Sequence, residues 1–265
     1  MYKSPRKFGF IKYVPNDLWQ ITKSPFQKKN LLWFSSIVVS SSFLSWQDPA
    51  LQNGVKHFAK VVHLSPTSSY KTAFGIGDTK IIKIPQSLSA GIYQLGEGGT
   101  SMLVAGGLFL YGKIKHDNRS LQTASDLTEA FITMGVATQL LKRSFGRQSP
   151  FAATVPGGKW RPFPAFTDYQ RHTGNYDAFP SGHLATLMAT FTVLCKNYPE
   201  KKWIKPLGGV ILSLVGFVMV NSNVHWVGDY PLALGIGYLS GKITAERHRH
   251  FQVKHKYVQT EEVNY

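Results

Sequence analysis

The sequence predicts an all-α protein, a bundle of six transmembrane helices, and three observations support this fold class. Six stretches contain no Asp, Glu, Lys or Arg, although the mean hydropathy of the whole chain is only −0.13. The stretches are longer than typical strands and suit helices. Most of the 30 lysines and arginines fall in alternate connections, as the positive-inside rule requires. The uncharged stretches are 30–47, 98–112, 130–141, 178–195, 206–224 and 230–241.

The distribution of basic residues also predicts the orientation in the membrane. If the N-terminus lies in the cytoplasm, the inner connections carry the larger share of the lysines and arginines. This predicts a multi-pass protein of the cytoplasmic (inner) membrane. Only 206–224 approaches the roughly 20 apolar residues of a clean span, so the shorter stretches need flanking basic side chains that snorkel to the interface. A soluble helical bundle is the alternative.

The net charge and the single cysteine indicate which partners and ligands the protein can have. The net charge of +16 favours a polyanionic partner, which is a nucleic acid, an anionic membrane surface or a phosphorylated substrate. The basic residues follow the predicted topology instead of clustering with aromatic residues, so we expect no nucleic acid. The single cysteine, Cys195, excludes an intrachain disulfide and a zinc site built on several thiolates.

Four segments are predicted along the chain. The first is basic, and prolines interrupt it. The second begins with a serine-rich membrane helix at about 30–46 and continues over 47–96 as short interfacial helices and connections. The third is a helical core, and the fourth is a polar C-terminal tail. The segments are 1–29, 30–96, 97–246 and 247–265.

Within the core the sequence predicts five helices. The first covers about 98–114. Asp126 followed by Glu129 fits a capping box, which predicts that the next helix begins there and ends near 143. The polar, proline-rich stretch 146–179 predicts a long irregular loop, and loops of this length are usually functional or disordered. Three more helices follow at about 181–197, 203–221 and 231–246.

Two motifs in this core carry chemistry. Residues 180–183 have the sequence Pro-Ser-Gly-His and place a hydroxyl, a flexible backbone N–H and an imidazole at the start of an apolar helix, where anions bind. His225 and Asp229 are four residues apart, so on a helical turn they share one face. An anion between the motifs would meet two imidazoles, one of them oriented by a carboxylate. This pattern favours phosphoryl transfer through a histidine nucleophile.

A third segment precedes them and contains Lys142, Gly146, Arg147 and Pro150. In this order the three segments resemble the signature of the type 2 phosphatidic acid phosphatase family, which also includes bacterial acid phosphatases, undecaprenyl-pyrophosphate phosphatases and vanadium haloperoxidases. The likeness covers roughly 98–246. It implies a helical bundle of the type 2 phosphatidic acid phosphatase/haloperoxidase kind, and the six-helix layout fits the membrane branch of that family.

The resemblance also implies roles for individual residues. His225 would attack phosphorus, while Asp229 fixes its tautomer and stabilises the imidazolium. His183 would protonate the leaving oxygen as the general acid. Three further groups would hold the phosphate oxygens, and the arrangement requires no metal and no cofactor. These substrate-binding groups are the Lys142 side chain, the Ser181 hydroxyl and the Gly182 N–H.

Two departures from the family signature lie in these segments. The family has an arginine where this chain has Ser149, and a Ser-Arg pair where this chain has Val218 and Met219. Two phosphate-binding guanidiniums are therefore missing. The arginines close enough in sequence to replace them are Arg143, Arg147, Arg161 and Arg171, and we prefer Arg147 and Arg171. If none of them reaches the space between the histidines, the sequence favours a catalytically degenerate protein that binds lipid phosphates.

The predicted function is hydrolysis of a phosphate monoester or pyrophosphate on a lipid, at a site that faces the periplasm or exterior. Undecaprenyl pyrophosphate, phosphatidylglycerophosphate, phosphatidic acid and lipid A phosphates are all compatible with the sequence. Besides the degenerate binder, a soluble acid phosphatase of the same family is an alternative. The sequence indicates no oligomeric state.

Two other sites have weaker support. The tail histidines His248, His250 and His255 are metal-ligand types, but a solvated basic tail is the favoured interpretation. Ser181 near histidines suggests a serine hydrolase. However, the chain lacks the Gly-x-Ser-x-Gly elbow at that serine, and a helical protein offers no sheet to carry one.

Overall fold

The computed structural model describes residues 2, 4–6, 8–66, 69–76 and 79–261, and it describes their side chains except those of 74–76, 79–83 and 249–261. In this part of the chain the structure is mostly helical, as predicted. The elements in chain order are α1 (Gly9–Lys12), α2 (Val14–Lys23), α3 (Leu31–Val61), β1 (Tyr70–Ile76), β2 (Thr79–Pro85), α4 (Leu88–Gly96), α5 (Gly98–Ile114), α6 (Asn118–Phe145), α7 (Phe166–Arg171), α8 (Gly182–Asn197), α9 (Ile204–Asn221) and α10 (Tyr230–Glu261).

Six long helices correspond to the six predicted ones: α3, α5, α6, α8, α9 and α10. Among the described residues, one helix, α9, is both long and apolar enough to cross a membrane, with a mean hydropathy of 1.7. A core helix of a soluble protein meets the same criterion. The six-span arrangement therefore stays a prediction.

The region 47–96 is predicted to form short interfacial helices and connections, and the structure differs from this prediction. The first long helix, α3, continues through Pro49 to Val61, because packing keeps Asp48 and Ala59 buried on its inner face. An antiparallel hairpin of β1 and β2 then follows. These strands are rich in Thr, Ile, Tyr and Phe, which favour extended backbone.

The start of α6 also differs from its prediction. The helix begins at Asn118, and its N-cap is Asp117, whose carboxylate accepts hydrogen bonds from two backbone N–H groups of the first turn. Asp126 and Glu129 lie inside this helix and are fully buried, so the predicted capping box is wrong. Their carboxylates instead bind side chains of other helices, including Asn197.

The last helix is longer than the prediction of 231–246. It begins at Tyr230 and continues to Glu261, so the described part of the predicted polar tail is helical. His248 of the tail pairs with Asp126, with Nδ1 2.7 Å from Oδ1. The side chains of His250 and His255 lie outside the described residues.

The main core lies where α6, α8, α9 and α10 meet, and it contains Met134, Ala137, Leu184, Ala185, Leu187, Val215, Met219, Ala233 and Ile236. Two glycines bring α10 against α8: a Cβ on Gly237 would collide with the Ala185 carbonyl, and one on Gly241 would lie 2.7 Å from the Ala189 carbonyl oxygen. Such close contact is typical of small residues between helices. It fixes the N-terminus of α8 beside the start of α10.

Candidate active site

The pair His225 and Asp229 lies in the connection between α9 and α10. A single 3-10 turn, Val227–Asp229, brings the carboxylate back to the imidazole. Asp229 Oδ2 lies 3.3 Å from His225 Nδ1 and also accepts a hydrogen bond from the Trp226 backbone N–H at 2.8 Å. Both side chains are buried. Because the carboxylate occupies Nδ1, Nε2 is the nitrogen available for attack.

His183 lies directly beside this pair. It is the second residue of α8, and its ring centroid is 5.6 Å from that of His225, with the two planes at 75°. Ser181 caps the helix and also donates its backbone N–H to the Asp229 carbonyl at 3.1 Å. This backbone hydrogen bond ties the two motifs together. On the other side of His183, the Tyr93 ring lies 5.1 Å away, and burial raises the pKa of Tyr93 to about 12, so the phenol stays neutral.

Lys142, in the last turn of α6, supplies positive charge at the same place. A Cβ on Gly182 would lie 3.8 Å from Lys142 Nζ, so the ammonium is next to the N-terminus of α8. The same Nζ lies 2.9 Å from Asp177 Oδ2. Tyr169 donates its hydroxyl to the other oxygen of Asp177, and burial together with this hydrogen bond raises the pKa of Tyr169. Asp177 therefore neutralises Lys142 in this state of the site.

Arg147 lies behind the histidines. Its Nη1 is 2.7 Å from Asp229 Oδ1, its Nη2 is 2.6 Å from Asp48 Oδ2, and all three side chains are fully buried. Nη2 also donates to the Gly157 carbonyl at 2.9 Å. The guanidinium lies 4.8 Å from the Trp160 ring centroid, close enough for a cation–π contact. Arg147 thus forms buried ion pairs with two carboxylates.

A comparison with protein families finds a match that includes these residues. The model of the PAP2 superfamily matches residues 123–251, which contain all the residues of the two histidine motifs and Lys142. Through this region the chain belongs to the PAP2 superfamily. The comparison with curated proteins finds no match.

One solved structure is similar to this PAP2 chain. It is described as the first transmembrane PAP2 type phosphatidylglycerolphosphate phosphatase from Bacillus subtilis. The sequence identity is 18%, the match covers 94% of this chain and 98% of that chain, and the TM-score is 0.43.

The two positions that depart from the PAP2 signature have structural roles of their own. Ser149 is buried, and its N–H donates to the Gly174 carbonyl at 2.8 Å. Met219 is fully buried in the core, and its carbonyl accepts the N–H of Val224 at 2.9 Å, just before His225. An apolar side chain at 219 packs where the family signature has a guanidinium.

The structure gives each candidate replacement arginine another position. Arg147, predicted as a phosphate ligand, is instead turned toward Asp48 and Asp229 because burial requires that these carboxylates be paired. Arg143 binds Gln139 and stacks on Tyr169, with its Cζ 4.2 Å from the ring centroid. Arg161 lies over the Tyr176 ring at 5.9 Å. Arg171 is exposed at the C-terminal end of α7.

Backbone hydrogen bonds to Arg147 and Gln148 hold the long stretch 146–179 together. The backbone N–H of Ala178 donates to the Arg147 carbonyl at 3.0 Å, and that of Gln148 donates to the Lys159 carbonyl at 2.8 Å. The Gln148 carbonyl in turn accepts the Trp226 indole N–H at 2.8 Å. Gly146 has φ +56°, and a Cβ there would collide with the Arg161 carbonyl, so only glycine fits.

Sequence analysis missed two acidic residues of this site, Asp48 and Asp177. Asp48 ends an uncharged helical stretch just before a proline, and an ionisable residue at such a place signals a functional or paired group. Asp177 gives no comparable signal, because its partner Lys142 is 35 residues away. Among the described residues, no group of three or more His, Cys, Asp or Glu side chains is arranged to hold a metal ion.

Proposed function

We propose that this PAP2 protein is a membrane phosphatase that hydrolyses a lipid phosphate monoester or pyrophosphate through a phosphohistidine on His225. The observation that carries the proposal is the pair of adjacent imidazoles, 5.6 Å apart, of which His225 is bound by Asp229 at Nδ1. No step of the mechanism uses a metal ion.

The reaction has two steps. First, Nε2 of His225 attacks phosphorus and the bond from phosphorus to the leaving oxygen breaks, while His183 gives its proton to that oxygen. Second, His183 takes a proton from water as the water oxygen attacks phosphorus, the bond to Nε2 breaks and inorganic phosphate leaves. In both steps Asp229 stabilises the imidazolium form of His225. Lys142, Ser181 and the Gly182 N–H hold the phosphate oxygens.

The surface of the bundle supports a lipid environment for this site. Large apolar side chains on the long helices are exposed, among them Leu32 (82%), Val39 (67%), Leu103 (78%) and Val210 (56%). A soluble monomer rarely exposes so many large apolar groups on neighbouring helices. The positive-inside pattern of the sequence favours a position of the histidines on the periplasmic or exterior side. A lipid phosphate is therefore the proposed substrate.

The absence of two phosphate-binding arginines lowers the rate of hydrolysis that we expect. Two signature guanidiniums are absent, and a hydrogen bond to a charged group contributes roughly 1.5–3 kcal/mol. The loss of both corresponds to a factor on the order of 10²–10⁴ in rate. The proposed nucleophile, acid and orienting carboxylate lie close together, which supports slow hydrolysis as the expected activity.

A second candidate function is lipid-phosphate binding without turnover. The positions of Arg143, Arg147 and Arg161, each engaged elsewhere, favour it. This candidate predicts that His225→Ala leaves the biological activity intact. The phosphatase predicts that the same change removes phosphate release.

The experiment that tests the proposal measures phosphate release from a panel of lipid phosphates in detergent, with and without EDTA. We expect slow release from at least one lipid, at the same rate in both conditions. A rate that collapses in EDTA would contradict the metal-free mechanism, and no release from any lipid would favour the binder. Extraction of the protein by a high-salt wash without detergent would instead favour a soluble acid phosphatase.

Asp177 gives a separate prediction about phosphate affinity. Its carboxylate lies 2.9 Å from Lys142 Nζ, so an incoming phosphate must compete with it for the same ammonium. We expect Asp177→Asn to lower KM for lipid phosphates about fivefold, which corresponds to about 1 kcal/mol for a partly exposed ion pair. Steady-state kinetics in detergent measures this change.

Asp168→Asn is the matched control for this variant. Asp168 is exposed on α7 in the same loop, and we expect its KM to equal that of the wild type. If Asp177→Asn raises KM, Asp177 helps to bind the substrate instead of competing with it.

A further inference from the structure

Asp48 lies outside the matched PAP2 region, on α3, yet it is fully buried against the turn Val227–Asp229 that carries Asp229. We propose that Asp48 is a positioning residue for phosphoryl transfer: it shares Arg147 with Asp229, so that Asp229 keeps net negative charge for His225. This inference rests on the proposed function. It means that the site is incomplete without the first long helix.

Both oxygens of Asp48 are bound by parts of the site. Oδ2 lies 2.6 Å from Arg147 Nη2, and Oδ1 accepts the Gly228 N–H at 2.9 Å. Gly228 is the middle residue of the turn Val227–Asp229 that carries the orienting carboxylate. One side chain of α3 therefore fixes both the counter-ion of Asp229 and the backbone on which Asp229 sits.

The contact between α3 and this turn is close. A Cβ on Gly228 would collide with the Ser45 hydroxyl and would lie 2.8 Å from Asp48 Oδ2. Ser45 and Asp48 are three residues apart and so share one face of α3. The Ser45 hydroxyl also accepts a hydrogen bond from Arg147 Nη1 at 3.3 Å. The absence of a side chain at 228 is what lets α3 reach the guanidinium.

The charges of this buried network explain why two carboxylates are needed. Asp229 alone with Arg147 forms a neutral pair, which has little attraction for a cation. With Asp48 added the three groups carry one net negative charge. When His225 becomes an imidazolium during phosphoryl transfer, that charge is balanced inside a dry environment where electrostatic effects are large. Asp48 thus acts on His225 through Arg147 and Asp229.

The variant Asp48→Asn removes the charge with the smallest change of shape. Asparagine keeps the oxygen that accepts from Gly228, but it is neutral and has an amide NH2 where Oδ2 accepts from Arg147. We expect kcat to fall about 10- to 100-fold with KM within about twofold of the wild type. Asp126→Asn is the matched control, since Asp126 is also fully buried and bound to an asparagine, a glutamine and His248, far from the histidine motifs in sequence, and we expect its kcat to be unchanged.

A double variant separates charge balance from a purely structural role. Asp48→Asn combined with Arg147→Gln removes one negative and one positive charge, so Asp229 again carries the only net charge. We expect its kcat to equal or exceed that of Asp48→Asn alone, whereas a structural role predicts additive losses. If Asp48→Asn does not fold, the comparison is between Arg147→Gln and the double variant, and the double variant is expected to be the more active.

Failure of this inference is distinguishable from failure of the proposed function. If the wild type releases phosphate and Asp48→Asn keeps its kcat, the role of Asp48 is refuted while the phosphatase stands. If the wild type releases none, the proposed function fails, and binding of orthovanadate decides the matter for Asp48. Vanadate bonded to His225 needs the same charge balance, so Asp48→Asn should bind it at least several-fold more weakly, and equal affinity overturns the inference.

Discussion

Replacement of His225 by alanine is expected to reduce phosphate release by at least about 10³-fold, because it removes the atom that forms the covalent intermediate. His183 and Lys142 remain in place, so KM for residual activity and binding of the lipid phosphate should change little. Phosphate release from the best lipid of the panel measures the loss. Thermal unfolding in detergent should show that the variant is folded.

His172→Ala is the matched control for this change. His172 is exposed at the end of α7 in the loop before the histidine motif, and we expect full activity. Retention of most of the activity in His225→Ala would mean that another group attacks phosphorus. Loss of activity in both variants would mean that the loss in His225→Ala is not specific to the proposed nucleophile.

Replacement of Arg147 by methionine is expected to destabilise the protein by about 3–5 kcal/mol. The change leaves Asp48 and Asp229 buried without a counter-ion, and breaking a buried ion pair from one side has a cost of this size. The shift of the unfolding midpoint in detergent measures the effect. Activity should also fall, because Asp229 no longer has a fixed orientation toward His225.

Arg171→Met is the control, because Arg171 lies exposed in the same loop. We expect its stability to stay within about 0.5 kcal/mol of the wild type. If Arg147→Met were as stable as the wild type and only its phosphate affinity fell, the guanidinium would be a phosphate ligand after all. That result would support the prediction made from the sequence over the buried ion pairs.

The parts of this site that the sequence predicts are those set by local geometry. His225 and Asp229 are four residues apart, and a single turn is enough to join them. Ser181 caps α8 because a serine before an apolar helix offers its hydroxyl to the first free N–H groups. The six long helices are also predicted, because the length of each uncharged stretch is a local property of the sequence.

The parts that the sequence does not predict depend on contacts between distant residues. Arg147 is 99 residues from Asp48 and 82 from Asp229, and no local pattern indicates which anion a buried guanidinium will meet. Asp126 and Glu129 mimic a capping box, but tertiary partners place them inside α6. The hairpin of β1 and β2 was missed because its short strands carry no periodic apolar signal long enough to distinguish them from connections.

The measurement that tests the central claim most directly is capture of the covalent intermediate. Enzyme mixed with a ³²P-labelled lipid phosphate is quenched with base, and the labelled peptide is identified by mass spectrometry. The proposed mechanism predicts label on His225 in the wild type and none in His225→Ala. Label on another residue, or steady turnover with no label on the protein at any time, would contradict it.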